Sequence, residues 1–158
     1  MLEQNKSSAP DNEVPYHCAF NFPAVLLTLG SKSWPQLKPV FEGLVKDPRW
    51  KVRRTLSFSL HEVAKILGPD LAETELLPVL LLFMKDIDDV KEGVTENLPK
   101  FIEVLRPEQR DVFIEKVVTA FGELKDWRKR VHQATQIRQF SKVFGVEAVQ
   151  KHFLPAFF

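Results

Sequence analysis

Four histidines, one cysteine and a set of charged turns are the residues of this 158-residue chain that could do chemistry. His17, His61, His132 and His152 include no pair at the i, i+4 spacing that a helix offers to zinc in H-E-x-x-H. His17 and Cys18 are adjacent, but they would need further ligands from elsewhere to hold a metal. The His61-Glu62 pair alone reads as a capped or surface histidine. Cys18 is the only cysteine, which excludes an internal disulfide and a Cys-based zinc cluster. It opens an apolar stretch, where a buried, inert thiol is expected, and no partner histidine marks it as a nucleophile. There is no G-x-S-x-G elbow and no P-loop, and six glycines leave little material for a phosphate loop. The chain therefore reads as a non-enzyme, with no cofactor and no metal expected.

The remaining candidates are the turns. Asp47-Pro48-Arg49-Trp50-Lys51-Val52-Arg53-Arg54 and Asp126-Trp127-Arg128-Lys129-Arg130-Val131 each set a tryptophan among cations, and Trp50 and Trp127 are 77 residues apart. Exposed Trp beside Arg is the composition of an interface hot spot. The alternative is that each ring packs on the neighbouring repeat, since Trp is highly buried on average. Arg53, Arg54, Arg128, Lys129 and Arg130 would suit a phosphate backbone. Between them, however, comes Asp86-Ile87-Asp88-Asp89-Val90-Lys91-Glu92, so the series runs plus, minus, plus. A groove tracking nucleic acid needs one sign, whereas ion pairs between repeats explain the alternation. The net charge of +1 likewise argues against a polybasic binder, so neither nucleic acid nor membrane is expected as a partner.

Holding such turns in line requires elements at a fixed period. Three segments share one plan: Trp34 to Gly68, about Glu73 to Leu105, and about Pro107 to Gly145. Each is an apolar helix, a short polar turn, and a second helix opening on a charged residue. Val52, Val90 and Lys129 anchor the second helices at spacings of 38 and 39 residues. Helical stripes support this: Leu37, Val40, Phe41, Leu44 and Val45; then Val52, Leu56, Leu60, Val63 and Leu67; then Val90, Val94, Leu98, Ile102 and Leu105. The third segment offers Val117, Val118, Phe121 and Leu124, followed by Val131, Ile137, Phe140 and Phe144. Gly68 and Gly145 stand where helices stop. The longest apolar run, Leu76 to Met84, is interrupted by Pro78 and falls far short of the ~18 residues of a membrane span. It reads as a buried helix.

The fold class is accordingly all-α: an α-α superhelix of about three helix pairs with half-repeats at each end. Cys18 to Gly30 reads as the second helix of a preceding repeat, and Val146 to Phe158 as the first helix of a following one. Residues 1–15 read as a disordered lead-in and 16–158 as the array. Asn97, Gln133 and Gln136 look too irregular for a peptide-reading groove. The apolar terminus Leu154-Pro155-Ala156-Phe157-Phe158 predicts self-association.

Asp47 through Arg54, followed by Glu62-Val63-Ala64-Lys65-Ile66-Leu67-Gly68, resembles a HEAT repeat, with its turn Asp and the Val-Arg pair opening the second helix. Phe22-Pro23-Ala24-Val25-Leu26-Leu27-Thr28-Leu29-Gly30 and Trp50 through Glu62 are similar to the C-terminal HEAT region of the phosphatase 4 regulatory subunit 1 family, with phosphatase 2A scaffold subunits as broader relatives. That resemblance implies a fragment or short paralogue of a non-catalytic regulatory or scaffold subunit. Its implied partner is a serine/threonine protein phosphatase catalytic subunit or its substrates, in the cytoplasm or nucleus. The candidate partner-binding ridge is Arg49, Trp50, Lys51, Asp88, Asp89, Trp127 and Arg128. The competing expectation is a generic HEAT-repeat interaction or structural segment with no phosphatase binding.

Overall fold

The computed structural model describes residues 13–122 and 126–157. Helix α1 (Val14–Leu29) leads through a 3-10 turn (Ser31–Ser33) to the pair α2 (Trp34–Val45) and α3 (Trp50–Leu67). The next unit opens with α4 (Pro69–Leu71), a π turn (Ala72–Leu76) and α5 (Leu77–Phe83), and continues with α6 (Asp88–Glu96) and α7 (Leu98–Val104). The third pair is α8 (Pro107–Gly122) and α9 (Trp127–Phe144), followed by α10 (Val146–His152) and α11 (Leu154–Phe157). No strand occurs among the described residues, and the all-α repeat stack expected from the period is present. Positions 1–12 of the expected lead-in and Leu124 lie outside the described residues, as do the side chains of Phe121 and Gln133. Val14 and Pro15 belong to α1, with the proline in the first turn, where its missing N–H leaves no helical bond unmade.

Glycines set the repeat length. Gly30, Gly68 and Gly145 have φ of 83°, 85° and 89°, a region that L side chains avoid. Each ends a second helix and returns its N–H to the carbonyl four residues back, of Leu26, Ala64 and Ser141 respectively. The second helices α1, α3, α6–α7 and α9 form one layer, with α3 packed between α1 and α6. Helices α2, α5 and α8 cover the other side of that layer. Where the layers meet, Phe22 and Trp34 rest on Phe41 with ring centroids 5.4 and 5.3 Å away. Leu56, Leu60, Leu76, Leu80 and Phe83 continue the core into the middle unit.

The middle unit departs from the expected plan twice, each time near a proline. Its second helix is split at Asn97, two residues before Pro99, which has no N–H to give Thr95. In its first helix the π turn precedes Pro78, and Leu77 N–H reaches back to Ala72 O, five residues away. That helix starts at Pro69 rather than near Glu73, and Leu82 on its outer side is half exposed. Val40 and Val131, assigned to buried stripes from their spacing, are exposed.

Neighbouring repeats approach closely at Gly93. A Cβ there would meet Ser57 Oγ and would lie 2.7 Å from Phe58 Cδ2 and 2.9 Å from the Phe58 backbone nitrogen. At the other end Pro155 follows a break, and the segment after Gly145 is two short helices rather than one. Phe153 is fully buried there, 4.9 Å from Phe140 and 5.9 Å from Phe144 between ring centroids. Leu154 and Pro155 of the apolar terminus, by contrast, are exposed.

Candidate partner-binding ridge

The starts of α3, α6 and α9 carry the turn residues, and each turn is fastened by an aspartate. Asp47 Oδ1 accepts the Arg49 backbone N–H (2.9 Å), and its two carboxylate oxygens accept Arg49 Nε (2.8 Å) and Nη2 (2.7 Å). Asp86 Oδ1 accepts the Ile87 N–H at 2.7 Å, and Asp126 Oδ1 accepts the Arg128 N–H at 2.9 Å. These bonds satisfy backbone donors that helix starts leave open. Asp88 and Asp89 add negative charge to the first turn of α6, where the helix dipole favours it.

Adjacent turns are tied by ion pairs. Arg53 donates through Nε and Nη2 to Asp86 (2.8 and 3.1 Å), and through Nη1 to the carbonyls of Asp47 (2.7 Å) and Pro48 (3.1 Å). Lys129 lies 3.7 Å from Asp88. The alternation of charge along the sequence is therefore used in part within the fold, as ion pairs between repeats. The hydrogen bond from Arg49 holds the Asp47 carboxyl below the usual carboxylate range, and that from Arg53 does the same for Asp86.

Both tryptophans face solvent, Trp50 at 40% and Trp127 at 66% exposure. Neither is buried under a neighbouring repeat. Instead each lies under its own following cation, Lys51 at 5.9 Å from the Trp50 ring centroid and Arg128 at 5.5 Å from that of Trp127. Arg49, Trp50 and Lys51 line a cleft of about 620 Å³ with Tyr16 and His17 of α1. Asp88 and Arg128 line a second cleft, of about 250 Å³, with Asp126, Lys129 and His132. Asp89 and Trp127 stand exposed beside the latter, in the first turns of α6 and α9, outside its lining. Arg49 differs from the other ridge cations, since its guanidinium is turned into its own turn.

A third hollow, about 960 Å³, lies across α1, α3 and α7, lined by Leu27, His61, Lys65, Lys100 and Glu103 among others. His61 is half-buried rather than a surface histidine, and burial pushes its pKa down. Cys18 is exposed on α1, contrary to the buried thiol expected from its apolar neighbours. No cluster of three metal-ligating side chains occurs among the described residues.

Two residues set aside as irregular have a structural role. Asn97 Nδ2 donates to Phe58 O (3.2 Å), and the buried Gln136 Nε2 donates to Glu96 O (2.7 Å). They are 39 residues apart, one full period, and that spacing was the signal available in the sequence.

Residues 18–121 match the family model described as the protein phosphatase 4 regulatory subunit 1 middle domain. The chain belongs to the protein phosphatase 4 regulatory subunit 1 family. The match spans α1 to α8 and so includes Arg49, Trp50, Lys51, Asp88 and Asp89. It also moves the family likeness from the C-terminal region, where the sequence motifs had set it, to the middle domain. The serine/threonine-protein phosphatase 4 regulatory subunit 1 of human and that of mouse are each 35% identical to the chain over 159 aligned positions, 98% of its length. The chain spans only 16% of the length of these relatives. The human serine/threonine-protein phosphatase 4 regulatory subunit 4 is 31% identical over 108 positions, 66% of the chain and 12% of that protein. Among the described residues no helix is long and apolar enough to cross a membrane.

Proposed function

We propose that this chain acts as part of a non-catalytic regulatory subunit, holding a serine/threonine protein phosphatase catalytic chain or its substrates against a helical-repeat surface. The observation that carries the reading is the 35% identity along 98% of the chain to proteins named phosphatase 4 regulatory subunits. The ridge supplies a surface for such a role. Its exposed Trp50 and Trp127, each beside a cation, have the amphipathic character of interface anchors. A cytoplasmic or nuclear site of action goes with this reading. The test is co-precipitation of the tagged chain from cell extract, with the longer human relative as positive control. Recovery of a serine/threonine phosphatase with both proteins is the expected result. Recovery with the control alone would sink the reading.

A second reading, a purely structural array segment, draws on the ion pairs Arg53–Asp86 and Lys129–Asp88, which commit ridge charges to holding repeats together. It requires that charge reversal at Arg49, Lys51 and Arg128 leave the set of co-purifying proteins unchanged. Loss of a partner on reversal excludes it.

A further inference from the structure

The hollow across α1, α3 and α7 sets Lys65 and Lys100 against Glu62 and Glu103, so it favours neither sign of charge. The ridge is different. Once the pairs Arg53–Asp86 and Lys129–Asp88 are formed, Lys51, Asp89 and Arg128 make no ion pair among the described residues. They stand on three successive second-helix starts, in the order plus, minus, plus. The two outer cations lie over exposed indole rings, and each outer site borders a cleft. Lys129 and Gln136 tie α9 to α6 as α3 is packed to α6, so α3 and α9 are two helix spacings apart.

We propose that the ridge selects a partner protein segment whose charges run acidic, basic, acidic over roughly 16–20 Å, two interaxial spacings of packed helices. The proposal rests on the ridge being the partner surface and adds which chemistry that surface reads. An extended segment rises about 3.3 Å per residue, so its acidic residues stand five or six apart with a basic residue between them. Carboxylates at the ends meet Lys51 and Arg128 beside the flat indole faces, and the central cation meets Asp89. A segment of the same composition with its charges in the opposite order places like charges together at all three positions, which is the means of discrimination.

Two synthetic peptides test this on the full chain: Glu-Glu-Gly-Lys-Lys-Gly-Glu-Glu, and the equal-composition Gly-Lys-Glu-Glu-Glu-Glu-Lys-Gly. The readout is NMR titration of the indole N–H signals, with the buried Trp34 as internal reference for an intact fold. The first peptide is expected to shift Trp50 and Trp127 together, saturably, and to bind about tenfold more tightly than the second. The double variant Lys51→Glu/Arg128→Glu, which leaves every aspartate of the turns in place, is expected to abolish that preference. Equal binding of the two peptides, absence of saturable shifts, or an unchanged preference in the double variant would overturn the proposal. Self-association that displaces the peptide would assign the ridge to a second copy, and it too would overturn the proposal. Charge-order selection without phosphatase recovery would separate this proposal from the functional reading above. Phosphatase recovery without charge-order selection would do the reverse.

Discussion

Replacing Gly93 by alanine sets two calculable effects against each other. In an isolated helix the change is favourable by about 1 kcal/mol, because alanine loses less backbone freedom than glycine. In this fold the added methyl would be 2.9 Å from the Phe58 backbone nitrogen and 2.7 Å from Phe58 Cδ2, as well as against Ser57 Oγ. The serine hydroxyl, bonded to Arg54 O at 2.7 Å, has another rotamer to go to. The Phe58 backbone has nowhere to go, since it is part of α3. Relief therefore requires α6 to move away from α3 by roughly half an ångström or more, in an interior that is close-packed. Overpacking of that kind costs typically ~1–3 kcal/mol, and movement of the whole helix puts this case at the upper end. The net expectation is destabilisation by about 1–2 kcal/mol, or a Tm lower by about 3–8 °C for a chain of this length. Urea and thermal unfolding followed by circular dichroism measure it. Ser57→Ala added to Gly93→Ala should recover little of the loss, because the hydroxyl can already turn aside and the Phe58 nitrogen stays in place. Stability at or above wild type in Gly93→Ala alone would refute the packing argument, leaving only the propensity term in force.

Other outcomes follow from the ties between repeats. Arg53→Ala removes a charged pair and two bonds to turn carbonyls, and should cost about 2–3 kcal/mol in urea unfolding, more than removal of an exposed surface pair. Asp47 and Asp86 titrate lower in the fold than in the unfolded chain, so their contribution is present above the ordinary carboxylate value of about 4 and is lost as pH falls through the folded values. Asp86→Asn should therefore flatten the acid limb of the stability curve. His61 has the opposite charge type: its folded pKa lies below its unfolded value, so protonation of the unfolded chain erodes stability as pH falls below about 6.5. His61→Gln should remove part of the stability lost between neutral pH and the folded pKa, read by thermal melts across that range. Gln136→Ala should cost about 1–2 kcal/mol by leaving Glu96 O short of its donor, and hydrogen exchange should rise in α7 and α9.

The stack was legible in the sequence because period, stripe and helix stop depend on local chemistry. Gly68 and Gly145 had to adopt a positive φ wherever the second helices ended, so their 77-residue separation already contained two repeats. The breaks were less legible. Pro99 and Pro78 announced that something must give, but whether a helix splits or widens into a π turn depends on who takes the freed carbonyls. For Glu96, whose carbonyl the split leaves open, the taker is Gln136, 40 residues away. Val40 and Val131 fit their stripes by spacing, and only the position of the neighbouring helix decides that they face water. The ridge was legible in composition and not in exposure. Trp50 and Trp127 could have packed or projected, and the cations that cover them belong to their own turns rather than to the next repeat. Arg49 was misleading for the same reason, since a carboxylate two residues away engages it.

The amide bonds of Asn97 and Gln136 also give the array a direction. Each donates backward, to a carbonyl of the repeat before it: Asn97 to α3 and Gln136 to α6. Taking away the later repeat leaves the earlier one with an opened carbonyl that water can reach. Taking away the earlier repeat in turn bares the Gln136 carboxamide, which is only 5% exposed in the intact stack, to the same water. Each bond thus belongs to a seam rather than to one side of it. Peeling from α9 or from α1 breaks the same bond at each seam and leaves both partners to water. What the two bonds fix is register: a slip of one helix along its neighbour by a single residue carries the carboxamide away from its carbonyl.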